Sequence, residues 1–173
     1  MADIPDSLSL RHNRDREGAW DLNVRRVSAS IILAIVVLGA LDAFGQRPET
    51  TVAAASAGSL EIYAPTRVRG GLLYMARFTI RAREDIAKAT LVLDPGWAES
   101  MTINTIEPAP TDETSDNGRL ALTLGPIKAG DSFLLFMQFQ VNPTNVGRRP
   151  QDVELRDGDT HIATIHRTVT VFP

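Results

Sequence analysis

Residues 71–81, GLLYMARFTIR, put Leu72, Tyr74, Ala76, Phe78 and Ile80 at alternate positions, with Arg77, Thr79 and Arg81 between them. Successive side chains on a strand point to opposite faces, so this stretch reads as a strand with one buried face. The period returns in 133–141, FLLFMQFQV, where Phe133, Leu135, Met137, Phe139 and Val141 share a phase against Gln138 and Gln140. Shorter strands fit 59–63, Ala89/Leu91/Leu93, 100–106, Leu120/Leu122/Leu124, 152–155 and 161–172. Asn117-Gly118 and Asp157-Gly158 supply turn chemistry, the second being the stronger hairpin signal. Roughly seven or eight short strands separated by Pro, Gly and Asp turns in about 115 residues predict an antiparallel β-sandwich over 59–173.

The stretch Leu124–Pro143, LGPIKAGDSFLLFMQFQVNP, resembles the late part of bacterial Ig-like surface domains, where a short strand leads through a Gly-containing turn into a long alternating one. The resemblance implies an Ig-like fold and, for such folds, adhesion, scaffolding or accessory-subunit roles. The Cys and Trp framework of antibody-type domains is missing.

Upstream the pattern changes. Val27–Leu41, VSASIILAIVVLGAL, is fifteen residues without a charge, following Arg25 and Arg26. Extended to Gly45 it spans roughly 28 Å at about 1.5 Å per residue, close to a hydrocarbon core, and residues 27–45 are expected to form one transmembrane helix. Arg11, Arg14, Arg16, Arg25 and Arg26 precede it and only Arg47 follows closely, which predicts a cytoplasmic N-terminus and an extracytoplasmic C-terminal domain. Trp20 and Phe44 suit the two interfaces, and Asp42 the outer one. A cleaved signal peptide shares these components. Its cleavage site should follow the apolar stretch closely, however, whereas Arg47, Pro48 and Glu49 precede the small residues at 53–57. A lipoprotein is excluded because the chain has no cysteine to acylate.

The expected organisation is therefore a cytoplasmic tail (1–26), the transmembrane helix (27–45), a linker (46–58) and an all-β domain (59–173). The tail is polar, and QRPETTVAAASAG (46–58) lacks large apolar side chains apart from Val52. Without disulfides the domain must hold itself by packing. From residue 46 onward eleven Arg and two Lys stand against fifteen Asp and Glu, so no nucleic-acid partner is implied. Sixteen Arg against two Lys in the whole chain points to a GC-rich bacterial genome, hence a bacterial cytoplasmic membrane.

No catalytic, cofactor or metal constellation is predicted. His12 falls in the tail, and His161 and His166 lie an odd number of residues apart on one expected strand, facing opposite ways. Without Cys a nucleophile would have to be Ser or Thr, and no G-x-S-x-G occurs. Asp112, Glu113, Asp116 and Asn117 offer oxygen ligands without EF-hand spacing, and read as a solvated turn. Arg148-Arg149-Pro150 could meet a lipid headgroup or an acidic partner and reads first as an exposed basic loop, and Trp97 reads as core or rim before a binding aromatic.

The spare apolar residues are more informative. Leu73, Met75, Leu134 and Phe136 occupy the outward phase of the two long strands, where a sandwich needs no burial. They are expected under loops or the linker, or on a partner surface. Ser30 and Ala34 make a small-xxx-small pair that lets another helix approach. The function expected is a non-catalytic single-pass accessory or assembly subunit serving a membrane or envelope complex, without cofactor or small-molecule substrate. A pilin-like filament subunit and an envelope enzyme or solute-binding domain are the alternatives.

Overall fold

A computed structural model describes residues 19–41 and 45–173, and the chain divides into two compact units, Met1–Ala43 and Phe44–Pro173. The readings placed on residues 1–18, His12 among them, and on Asp42 and Phe44 lie outside the described residues. Helix α1 runs Ala19–Ala40, 22 residues or roughly 33 Å. It starts before the expected boundary at 27 because nothing in Trp20–Arg26 breaks a helix, Asp21 complements the N-terminal dipole, and Asp21 pairs with Arg25 one turn on at 3.2 Å. It also stops short of Gly45: Leu41 closes a turn by donating its N–H to the Val37 carbonyl at 2.9 Å. The helix is apolar and long enough to cross a membrane, a test that a signal sequence also meets, and its large apolar side chains are exposed throughout.

The second unit holds thirteen strands. They are β1 Pro48–Ala54, β2 Gly58–Pro65, β3 Arg67–Arg69, β4 Leu73–Ala82, β5 Ile86–Leu93, β6 Met101–Glu107, β7 Asp112–Asp116, β8 Arg119–Ile127, β9 Ser132–Val141, β10 Gly147–Pro150, β11 Val153–Asp157, β12 Thr160–Ile165 and β13 Thr168–Phe172. One five-stranded sheet has the order β1-β2-β4-β9-β6, and a second β12-β11-β5-β8-β7. A three-stranded sheet, β10-β13-β3, contains the single parallel pair among the described residues, β13 with β3. All other pairs are antiparallel, and the expected β-sandwich is what forms.

The expected phases are the buried ones except at Leu72, which precedes β4 and is about half exposed. Phe78, Ile80, Leu91, Leu135, Met137 and Phe139 are fully buried, joined by Leu60, Ile62, Leu93, Leu122 and Trp97 in one core. Strand β9 follows β8 through a turn at Gly130 (φ 88°), as the Leu124–Pro143 pattern implies. Asn117 (φ 53°) and Gly118 (φ 82°) make the two-residue β7–β8 hairpin, both in the left-handed region that a type I′ turn requires.

Three readings need correcting. The expected linker contains β1, whose register runs from Pro48↔Pro65 to Ala54↔Ser59. A strand at a sheet edge needs backbone pairing and little side-chain volume, so Thr51 and Ala53 suffice on its inner face. The strand expected over 161–172 breaks at His166-Arg167 and feeds two different sheets. Arg148-Arg149-Pro150 belongs to β10 and pairs with β13.

Candidate functional site

The outer face of the first five-stranded sheet carries the spare apolar side chains. Register aligns Leu73 with Gln140, Met75 with Gln138, Arg77 with Phe136 and Thr79 with Leu134 across β4 and β9. Leu73 is 50 %, Met75 55 % and Leu134 42 % exposed, and Phe136 is half-buried, so neither a loop nor β1 covers them. Met75, Phe136 and Gln138 line a shallow groove with Thr105 and Glu107 of β6. On the other side of β4 the Arg77 guanidinium lies 5.0 Å from the Tyr63 ring centroid and 4.0 Å from Glu61. The face is a strip of apolar side chains between a cation and the Glu107 carboxylate, which Phe136 meets in register.

The second sheet's outer face is closed by its own residues. Val92 and Ala121 sit opposite one another there, buried yet outside the central core, as do Thr90 and Thr123. Four charges from three strands form a ring over this face. Arg119 donates to Asp116 (2.9 Å) and Glu154 (3.1 Å), and Arg156 donates to the same oxygens of Asp116 (2.9 Å) and Glu154 (2.7 Å). Hydrogen bonding from Arg156, and then its charge and that of Arg119, holds the Glu154 carboxyl below its ordinary value against the opposing effect of burial. Two carboxylates shared by two guanidiniums satisfy one another and roof the small residues beneath.

The residues considered for chemistry are dispersed. Asp116 of the acidic stretch is engaged in that ring, while Asp112–Asp116 as a whole is an edge strand. His161 meets Thr164 at 2.8 Å, and His166, beyond the end of β12, meets Asp152 at 2.6 Å. Among the described residues no three His, Asp or Glu side chains come close enough to hold a metal ion. Ser30 and Ala34 lie one turn apart on α1, both exposed.

Trp97 is fully buried in the 3-10 turn Pro95–Trp97, its ring centroid 5.3 Å from Phe78 and 5.4 Å from Phe139. Its indole N–H donates to the Gln151 carbonyl at 3.0 Å. The Gln151 amide in turn donates to the Tyr74 hydroxyl and to the Gly96 carbonyl, each at 3.2 Å. Arg167 stacks over Trp97 at 5.0 Å and donates to the Ala64 and Pro65 carbonyls, while its Nε and Nη1 have no partner. Burial pushes the Tyr74 phenol up to about 12 and lowers Arg167 from its ordinary value. This buried polar group ties β4, the 3-10 turn, β11's approach and the β12–β13 break together. Nothing in the sequence marks Gln151 or Arg167, because neither sits in a periodic run.

No protein-family model matches the chain, and no curated protein matches it. Solved structures similar in outline include the CARDB domain of a Pyrococcus furiosus protein, solved in complex with di-metal ions. It is 16 % identical with a TM-score of 0.38, covering 73 % of this chain and 96 % of that one. A non-cellulosomal cohesin from Archaeoglobus fulgidus is 15 % identical with a TM-score of 0.39, covering 72 % and 92 %. Both superpose loosely, and the assignment to a β-sandwich rests on the sheets themselves.

Proposed function

We propose that the protein is a non-catalytic accessory or assembly subunit of a bacterial membrane or envelope complex. In this reading α1 is a single-pass anchor with its N-terminus cytoplasmic, and the Ig-like sandwich works outside the membrane without a cofactor, nucleic acid or small-molecule substrate. The observation that carries it is the inequality of the two outer faces. One is roofed by its own charge ring; the other leaves Leu73, Met75, Leu134 and part of Phe136 to solvent. Burying such a strip against a partner yields about 25 cal/mol per Å² of apolar area, and single charges at its edge, Arg77 and Glu107, would set orientation.

The experiment is affinity purification of the native protein in mild detergent beside the Met75→Asp and Phe136→Asp variants, followed by identification of what comes with each. Both positions face outward, so the variants are expected to fold, with the melting temperature of Met75→Asp near that of the parent and that of Phe136→Asp lowered, since Phe136 is half-buried and lies opposite Glu107. A membrane or envelope protein recovered with the parent and lost from both variants is the expected result. Equal recovery with all three would reject this face as the contact.

A further inference from the structure

The end of the sandwich at which β1 begins combines exposed apolar and basic side chains. Gln46, just ahead of β1, donates its side-chain amide to the Leu73 carbonyl at 3.2 Å, so the chain joins the domain beside the start of β4. Leu72 and Leu73 are about half exposed there, and so is Val146, in the loop that follows β9. The two loops touch: a β-carbon on Gly70 would lie 3.0 Å from the Pro143 carbonyl oxygen, and Val141 donates to the Leu72 carbonyl at 3.0 Å. The three-stranded sheet sits at the same end, since Gly70 donates to the Phe172 carbonyl at 2.8 Å. Its strands read RVR, GRRP and TVTVF, with four arginines and no carboxylate side chain. Register places Arg148 and Arg67 on either side of Thr170, hence on one face, and Arg69 follows two residues after Arg67. Arg67, Arg69 and Arg148 are exposed, and among the described residues none of them has an ion pair. The Glu49 carboxylate of β1 is exposed at this end as well, and its charge acts on the buried Arg167 against the larger effect of burial.

Arginines outside any ion pair among the described residues, Arg69 donating only to the Pro173 backbone oxygen at 3.4 Å, and bordered by leucine and valine side chains in water, match a surface that is anionic at its edge and apolar beneath. We propose that this end docks on an anionic phospholipid bilayer, the arginines on headgroup phosphates and Leu72, Leu73 and Val146 at the acyl boundary. Covalent reach allows it. The last helical residue, Ala40, and the first of β1, Pro48, are eight positions apart, at most about 28 Å of extended chain. The inference rests on reading α1 as an anchor. It shares Leu73, at the end of the apolar strip, with the face proposed for a protein partner, and none of the residues that line the Phe136 groove.

The test uses the full chain reconstituted into vesicles of phosphatidylcholine alone or with phosphatidylglycerol. Flotation with neutral vesicles reports the anchor by itself, so a failure there counts against that reading and is seen separately. The absence of cysteine allows single spin labels at Leu72→Cys, at Val146→Cys and, as control at the opposite end, at Ala129→Cys, attached by an impermeant reagent so that only outward domains are read. In phosphatidylglycerol vesicles the labels at 72 and 146 should be shielded from a water-soluble nickel chelate and reached by oxygen, while the label at 129 stays in water. Each arginine lost is expected to weaken docking roughly fivefold. The combined Arg67→Glu, Arg69→Glu and Arg148→Glu substitutions, or about 0.5 M salt, should therefore return both labels to water. Labels at 72 and 146 as water-exposed as that at 129 would overturn the proposal. So would shielding that is equal in neutral vesicles and indifferent to charge reversal, which would indicate a protein contact at this end.

Discussion

A β-carbon on Gly96 would lie 1.9 Å from the Pro150 carbonyl oxygen, so at this position only glycine lets the 3-10 turn close against β10. That contact delivers Trp97 into the core, where the stacked pair Tyr74 and Phe139, 5.1 Å apart, meets it. Phe139→Ala should cost about 3 to 5 kcal/mol in urea denaturation, since a ring with no solvent exposure and two aromatic neighbours leaves a cavity the sheet cannot collapse into. A loss below about 1 kcal/mol with the fold intact would mean that the burial is not what it is taken to be. Tyr74 predicts a pH dependence. Its phenol ionises near 12 in the folded state against 10.0 ordinarily, so the unfolded chain gives up this proton first as pH rises. The contribution is whole below pH 10 and falls between 10 and 12, by up to about 3 kcal/mol. Tyr74→Phe should be less stable at neutral pH, because the Gln151 amide loses one of its two acceptors and keeps the Gly96 carbonyl, yet decline less between pH 9 and 11 when urea midpoints are compared. Equal declines in the two proteins would assign the alkaline loss to other groups. At this scale Phe78 and Phe139 were legible in the sequence through their place in a period of two. Gln151 and Arg167 were not, because burial of a lone polar residue outside a run depends on which strands happen to enclose it.

At the scale of elements, long strands with a clean alternation were readable and edge strands were not. Strands β4 and β9 pair over nine positions and must each present one apolar face, which writes itself into the residue order. Strand β1 contributes Thr51, Ala53 and backbone hydrogen bonds, and its sequence looks like a linker. Its removal provides a clear test. A chain beginning at Gly58 exposes the whole pairing edge of β2, whereas one beginning at Gln46 keeps it covered. The shorter form is expected to melt about 10 °C or more below the longer one, a few kcal/mol for a domain of this size, and to self-associate at lower concentration in light scattering. Indistinguishable melting and scattering would mean that β1 is ornamental to the domain. The charge ring on the second sheet illustrates the same divide. Asp116, Arg119, Glu154 and Arg156 look like ordinary surface charges along the chain, and only the neighbouring of β7, β8 and β11 around β5 brings them into one closed set.

For the whole molecule the predictions concern side and tether. If the arginines before the helix hold the N-terminus in the cytoplasm, protease added to intact spheroplasts should digest the domain and spare the tail. A protected C-terminus would reverse the orientation. If the protein works by contacts made in the plane of a membrane, a secreted soluble form of residues 46–173 should fold and yet fail to complement a deletion strain, because tethering sets the local concentration at a membrane partner. Full rescue by the soluble form would reject the accessory-subunit reading. The chain by itself determined the apolar helix, through an uninterrupted run without charge, and the two long amphipathic strands, through a period of two that backbone geometry converts directly into a buried face; several such strands between turn residues indicated the sandwich class. It also marked Leu73, Met75, Leu134 and Phe136 as surplus to one core. Tertiary structure alone decided that nothing in the domain covers them, that the other sheet covers itself, and that Arg67 and Arg148, 81 positions apart, share one face with exposed leucines beside it. Those facts depend on which strands become neighbours, and neighbourhood is set by non-local pairing that leaves no period in the sequence.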